Sequence, residues 1–335
     1  MKYLSELSNC QLCEHRCGVD RLEGQMGVCR MTVPMIASAT LHPAPPQSYT
    51  IFTAGCNFKC LNCQNWSISQ YPDNRMVVRG MEDAENLAKE SIYHLRSHTG
   101  QLIRADRIFF SGGEPTIHLP FIEKIVDAAR KMDSSVKVNF DTNGFMTEES
   151  LRRVLRFTTS ITFDIKAYDD EVHRALTGAP VSPVLRNAAY VGKNAKDKLW
   201  EYRILVIPHI NEADIRPLSN FIVSIDPSLP VCFLAFRPNF VLEQHPGATS
   251  NLMDRCVDIA KNEGLTNVYW SGRTGLSGRI APIAVKIADK YHNVQAANLA
   301  TYALKAGCGT HPRDCKICKV NQKCPIKRHM PRRST

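Results

Sequence analysis

The stretch TAGCNFKCLNCQNW, residues 53–66, decides how this chain reads. It carries Cys56, Cys60 and Cys63 directly after a short apolar run, SYTIFT at 48–53. Three thiols this close cannot share one face of a strand, where successive side chains alternate. They suit a loop folded about one soft metal centre, because thiolates hold zinc or iron–sulfur clusters. Three ligands on a four-iron cube leave one iron open to another molecule. A zinc knuckle short of one ligand is the competing reading.

Outward from that loop, short apolar runs alternate with amphipathic ones. Strand candidates are residues 48–53, 107–110, 136–140, 160–165, 202–207 and 231–236, each nearly continuous in apolar character. That is the pattern of strands covered on both faces. Ala84, Leu87, Ala88, Ile92 and Leu95 recur at helical spacing between the first two. After the second, Pro120 suits a first helical turn, and Ile122, Ile125, Val126 and Ala129 form one stripe. Thr147 is placed to cap a helix running through Leu155, and further helices are expected near 183–191, 215–225 and 252–263. Such alternation implies parallel pairing and right-handed crossovers. About six units predict an α/β fold, a partial (β/α)6 barrel rather than the closed eight-unit form. Functional side chains then belong at the carboxyl ends of the strands. The expected organisation is a cysteine-rich extension over 1–46, the barrel over 47–272, and a helix with a second cysteine-rich extension over 273–335. Residues 1–46 lack apolar periodicity and run into HPAPPQ at 42–47, whereas 280–304 reads as helical.

The remaining strand ends carry polar motifs. After the second candidate comes Ser111-Gly112-Gly113-Glu114-Pro115. Paired glycines let backbone approach a ligand closely, and Glu114 is an acceptor for an ammonium group. Asp141-Thr142-Asn143-Gly144 follows the third, and Asp164-Ile165-Lys166 the fourth. An aspartate at a strand mouth calls for a cation or donors, and Lys166 is a point charge suited to a carboxylate. The plainer role for Lys166 is a salt bridge with Asp141 or Asp164. Arg203 opens the fifth strand, in EYRILVIPHIN.

These segments, with DIKAYDDEVHRALTG at 164–178, resemble the radical S-adenosylmethionine (SAM) enzymes over residues 48–240. Within them they are most similar to the pyruvate formate-lyase activating enzymes and their uncharacterised relatives. The resemblance implies a partial barrel of the radical SAM type. It implies that Cys56, Cys60 and Cys63 hold a [4Fe-4S] cluster whose open iron chelates SAM. Gly112, Gly113 and Glu114 would receive the SAM amino group, Lys166 its carboxylate, and Arg203 would contact SAM with Asn211 nearby. Asp141, Thr142 and Asp164 would surround a monovalent cation. An electron from a flavodoxin- or ferredoxin-type donor would cleave SAM to methionine and a 5′-deoxyadenosyl radical, which takes hydrogen from the substrate. The chain departs from the family at Asn62, where an aromatic residue is usual, leaving Phe58 or Trp66 to contact adenine. It departs again at His209, where glycine is usual, and at Phe236-Arg237-Pro238, where histidine precedes the proline. In the resemblance the last two face the substrate, which implies a different one.

Thirteen cysteines stand in the 335 residues. Cys10-x2-Cys13-x3-Cys17-x11-Cys29 offers four thiols ahead of the motif, and Cys308-x6-Cys315-x2-Cys318-x5-Cys324 four behind it. Cys232 and Cys256 stand apart and read as small core residues. The amino-terminal residues contain no apolar export segment, so the expected location is cytoplasmic and the clusters read as metal ligands, not disulfides. The first group suits zinc or a [4Fe-4S] cluster equally. The second resembles the auxiliary-cluster extensions of radical SAM enzymes that modify peptides, so a [4Fe-4S] site is expected, with a zinc ribbon as the alternative. His311 and His329 read as bystanders.

Hydrophobic residues make up 44% and charged ones 22%, which excludes wholesale disorder. No apolar run reaches the ~18 residues of a membrane span. The net charge of +10 concentrates after His311, in Arg313, Lys316, Lys319, Lys323, Lys327, Arg328, Arg332 and Arg333 against Asp314. With no interleaved aromatics for base stacking, this reads as a solvated terminus and not a nucleic-acid patch. The expected function is a radical SAM enzyme, an oxidoreductase or transferase, that takes hydrogen from a protein or peptide in glycyl-radical activation or another peptide modification. Modification or methylation of RNA or a small molecule is the alternative. A non-catalytic multi-cluster electron carrier or zinc-scaffold binding protein would explain the outer cysteines but not the motifs at successive strand ends.

Overall fold

The apolar runs become strands. The computed structural model describes residues 2–70, 79–320 and 323–330, so Arg332 and Arg333 lie outside the described residues. The strands are β1 (Ile36–His42), β2 (Ser48–Thr53), β3 (Arg107–Gly112), β4 (Lys137–Thr142), β5 (Ser160–Asp164), β6 (Leu199–Val206), β7 (Val231–Ala235) and β8 (Val268–Ser271). They form an eight-stranded, mostly parallel sheet whose order is the chain order. The α/β class expected from the alternation is the class observed. Short helices α1 (Trp66–Ser69), α2 (Ala84–Arg96) and α3 (His98–Leu102) follow β2. Then come α4 (Leu119–Met132), α5 (Glu148–Phe157), α6 (Asp170–Thr177), α7 (Ser182–Asn194), α8 (Ile215–Val223), α9 (Ser250–Asn262), α10 (Val285–Ala288) and α11 (Val294–Lys305). No helix among the described residues is long and apolar enough to cross a membrane.

By packing, the chain divides into two units, Met1–Asn57 with Asn65–Thr162, and Phe58–Gln64 with Phe163–Thr335. In the first unit, β2 and β3 are parallel from Ser48 opposite Arg107 to Thr53 opposite Gly112, and β3 continues onto β4. α2 packs on α4, each presenting one apolar stripe that is buried. Asp83 caps α2 by accepting from the Glu85 and Asn86 N–H groups, and Thr147 caps α5 through the Ser150 N–H. Each such cap stabilises its helix by about 1 kcal/mol. In the second unit, β6, β7 and β8 are parallel, with Tyr202 opposite Val231 and Val231 opposite Val268. α11 packs on α6, and α8 on α9.

Two strands lie beyond the six that the sequence marks. β1 pairs antiparallel with β2, Leu41 opposite Tyr49. Its sequence, IASATLH, has small and polar side chains on its exposed face, so it lacks the continuous apolar character that marks the others. The helix expected over 280–304 is two helices, α10 and α11, with no helix before Val285. Pro282 lacks a donor for a helix interior, and Asn293 starts α11 by accepting from Gln295 and Ala296.

Candidate active site

In the first unit, the β2–β3 register delivers two loops to the same end of the sheet. The Gly113 N–H donates to the Thr53 carbonyl (2.9 Å), and the Glu114 N–H to the Gly55 carbonyl (3.0 Å). A Cβ on Gly113 would lie 1.7 Å from the Gly55 oxygen, and one on Gly112, at φ +113°, 2.4 Å from the Thr53 backbone. The close approach that demands these glycines is therefore that of the loop carrying Cys56.

Glu114 is 1% exposed. Its Oε1 accepts from the Thr116 N–H (3.2 Å), the Thr116 hydroxyl (2.5 Å) and the Thr142 hydroxyl (2.8 Å), and its Oε2 from the Asn143 N–H (2.8 Å). No cationic side chain pairs with it among the described residues. Burial pushes its pKa up to about 7, although these bonds pull the other way. Asn143, to which the motif alone assigns no role, is a further candidate. Its Nδ2 reaches the Asn57 side-chain oxygen (2.7 Å) and the Cys56 sulfur (3.8 Å), so it joins the cysteine loop to Glu114. Asp141 accepts from the Ser111 hydroxyl (2.7 Å), and Thr142 spends its own hydroxyl proton on Glu114.

In the second unit, the segment with Cys60 and Cys63 is pinned at its backbone. The Lys59 N–H donates to the Thr177 carbonyl (2.7 Å) and the Leu61 N–H to the Leu176 carbonyl (3.1 Å), both at the open end of α6. Asn239 Nδ2 holds the Cys63 carbonyl (2.8 Å). Phe58 is buried edge-on against the His173 ring, with centroids 5.4 Å apart. Burial pushes the Cys60 thiol up to about 12; Lys166 draws it down and Cys63 pushes it further up. Arg313 closes the segment. Its Nη2 donates to the Lys59 carbonyl (2.8 Å) and its Nη1 to the Ala175 and Leu176 carbonyls (2.5 and 3.1 Å). The expectation of a solvated basic terminus therefore fails for Arg313 and Lys327, which are 2% and 1% exposed.

Lys166 forms the plainer pair foreseen for it, with Asp164 at 2.7 Å. Asn211 accepts from the Ile207 N–H and donates to the Leu205 and Lys166 carbonyls, so it fixes the loop beneath Lys166. Arg203 lies against Glu201, at 2.8 and 3.0 Å. His209, where the resemblance expects a glycine, has a left-handed backbone at φ +60°. Left-handed backbone costs a side chain about 1–2 kcal/mol. His209→Gly should consequently leave the melting temperature unchanged or raise it by a few degrees in a thermal unfolding scan. A fall of several degrees would mean that the imidazole contributes more than its strain costs.

The carboxy-terminal cysteines lie in the second unit. Burial raises the Cys308 thiol, opposed by Arg313 and reinforced by Cys324 and Cys315. Thr310 lies 3.6 Å from Cys318 through its hydroxyl, and its carbonyl accepts from the Cys308 thiol at 3.6 Å. His311 donates Nε2–H to the Cys308 carbonyl and faces the Tyr291 hydroxyl through Nδ1, so both ring nitrogens are used. None of the thirteen cysteines is in a disulfide. Among the described residues no three Cys, His, Asp or Glu side chains are already spaced to hold a metal ion.

A sequence profile of the Radical SAM superfamily matches residues 50–222. The uncharacterized protein MJ0674 of Methanocaldococcus jannaschii is 27% identical over 274 residues, covering 78% of this chain and 77% of that protein. The pyruvate formate-lyase-activating enzyme of Staphylococcus aureus is 30% identical over 192 residues, covering 54% of this chain and 71% of that enzyme. Among solved structures, a domain of a pyruvate-formate lyase-activating enzyme from Bacteroides vulgatus superposes with a TM-score of 0.40 at 22% identity, covering 50% of this chain and all of that domain.

Proposed function

This chain belongs to the radical SAM superfamily, and from that premise we propose that it reductively cleaves SAM and takes hydrogen from a protein or peptide. Membership implies a [4Fe-4S] cluster and SAM as cofactors. The donor chemistry fits: three thiols fall in one short loop. The observation that carries the proposal is Glu114. A carboxylate this buried, held by four donors and matched by no cation, costs free energy until a positive group arrives. An ammonium group such as that of SAM supplies the charge and the donors. A [4Fe-4S] cluster held by Cys56, Cys60 and Cys63 would relay one electron from an external reductant for the reductive cleavage of SAM.

The residues of the chain position and shield. Asn143 fixes the Cys56 loop against Glu114, and the paired glycines let the two backbones touch. Asp164 holds Lys166 at 2.7 Å until the SAM carboxylate competes for it. Arg203 is held in the same manner by Glu201. A protein or peptide substrate is supported by the activating-enzyme relative. The flanking cysteine groups are proposed as auxiliary zinc or [4Fe-4S] sites, and a flavodoxin- or ferredoxin-type protein as the electron donor.

The test is to reconstitute the purified chain anaerobically and supply SAM and a strong reductant. 5′-Deoxyadenosine should form. Adding cell extract should then increase it and leave one protein or peptide with a changed mass or an organic radical signal. A change confined to RNA or to small molecules would overturn the peptide assignment, and no 5′-deoxyadenosine at all would overturn the activity.

A further inference from the structure

Arg21 is a buried cation without a counter-charge. It is 1% exposed. Its Nε donates to the Thr32 carbonyl (3.0 Å), and its Nη1 to the Ile117 carbonyl (2.6 Å) and to the Cys10 sulfur (3.7 Å). Its Nη2 is buried with no hydrogen-bond partner, and among the described residues no carboxylate forms an ion pair with it. A guanidinium cannot shed its proton to relieve this. An unpaired buried charge of this kind is strongly destabilising.

The group that Arg21 faces is a set of thiols. Cys10, Cys13, Cys17, Cys29 and Arg21 line one small cleft, otherwise walled by aliphatic side chains such as Val28 and Ile117. Tight turns bring the sulfurs there. The Gly18 N–H donates to the Cys10 carbonyl, the Arg16 N–H to the Cys13 carbonyl and the Arg30 N–H to the Gly27 carbonyl. Gly27 is required by the cluster itself, since a Cβ there would lie 2.7 Å from the Cys17 sulfur. Neutral thiols do not balance a guanidinium. Four thiolates around Zn2+, or around a [4Fe-4S] cluster in its usual oxidised state, form a dianion that does. The sulfurs are not yet at ligating spacing, but a cysteine sulfur moves by rotating one side-chain torsion between staggered wells.

We propose that Cys10, Cys13, Cys17 and Cys29 hold a closed four-thiolate metal centre, with Arg21 as its internal counter-charge. The site lies outside the residues matched by the family profile and stands independently of the radical chemistry. A closed centre with no open coordination position is structural or electron-transferring and does not bind substrate. The Arg21 Nη1 directed at the Cys10 sulfur would stabilise that thiolate as an outer hydrogen bond does at other metal sites.

The experiment begins with anaerobically purified full-length protein. Iron, zinc and acid-labile sulfide are quantified per chain, and alkylation of each cysteine is followed by peptide mass spectrometry without added reductant. The four thiols should be protected together, and should become reactive together when a chelator, with an oxidant for an iron–sulfur cluster, removes the metal. Loss of one zinc identifies a zinc site; loss of four irons with sulfide identifies a cluster. Cys13→Ala combined with Cys29→Ala should remove that same metal and nothing else. In Arg21→Met the metal should be lost to the chelator about tenfold faster, with Arg21→Lys recovering part of the difference. Disulfides among the four, alkylation indifferent to metal removal, or unchanged metal in the double variant would each overturn the centre. Equal metal release in Arg21→Met would overturn the role of the arginine. Because the alkylation arm uses the unaltered chain, it decides the question even where a variant fails to fold. 5′-Deoxyadenosine formation is scored separately, so the failure of one proposal is not mistaken for the failure of the other.

Discussion

Cys60→Ala should reduce 5′-deoxyadenosine formation to the background of SAM and reductant alone, while the chain stays folded. Cys60 is buried, and as a free thiol it is held up to about 12, chiefly by desolvation. Such a thiol gives up its proton to a metal and to little else. Its neighbours on either side are fixed through the Lys59 and Leu61 N–H groups and not through the sulfur, so the loop has no structural need of that atom. Removing the sulfur creates a cavity of about one atom, a cost of ~1 kcal/mol by the usual scaling. Activity and stability should therefore separate: cleavage vanishes and the melting temperature moves by a few degrees at most. Chromatographic assay of 5′-deoxyadenosine with a thermal melt on the same preparation reads both. Cleavage at the unaltered rate would remove Cys60 from the proposed cluster and with it the motif reading.

The strands and the proposed cluster loop were legible because their signals are local. β2 was marked to the residue by SYTIFT, and SGGEP declares its turn by composition alone. β1 was not legible, since its place depends on pairing with β2 and its own side chains say little. His209 was noticed as an oddity, but its left-handed backbone is visible only in the structure. Arg313 is the instructive failure, and Arg21 carries no local signal at all. An arginine in a cysteine-rich segment with no periodicity reads as solvent-facing, because a charge is seldom buried unless paired. Here the partners are backbone carbonyls and sulfurs distant in sequence, Ile117 and Cys10 for Arg21, and Lys59 and Ala175 for Arg313. Charge counting along the chain cannot see them. Asn143 was missed for a related reason: its contacts to Cys56 and Glu114 come from other strand ends.

Arg313→Ala should impair the proposed chemistry from outside the three-cysteine motif. The guanidinium ties the Lys59 carbonyl to the Ala175 and Leu176 carbonyls at the end of α6, where helix carbonyls lack intrahelical partners. Next along the chain, the Cys315 N–H donates to the Gly178 carbonyl (2.9 Å), and a Cβ on Gly178 would lie only 2.3 Å from the Cys315 sulfur. The carboxy-terminal cysteine segment is thus latched to the helix end that positions Cys60. Truncating the arginine removes three charge-assisted bonds and strands at least the Lys59 and Ala175 oxygens in the interior. At about 1.5–3 kcal/mol for each bond to a charged group, partly offset by water entering, the loss should be about 3–5 kcal/mol of stability. Cleavage of SAM should fall at least ~10-fold, since displacing a reacting centre by about an ångström costs more than that. A purely global effect is distinguished by amide exchange: the Lys59 and Leu61 N–H groups should exchange faster, while those of α11 keep their protection. Arg313→Lys can reach one carbonyl and should recover part of both quantities. Native iron content, native cleavage and unchanged exchange at Lys59 and Leu61 in Arg313→Ala would show that the segment holding Cys60 keeps its shape without the latch.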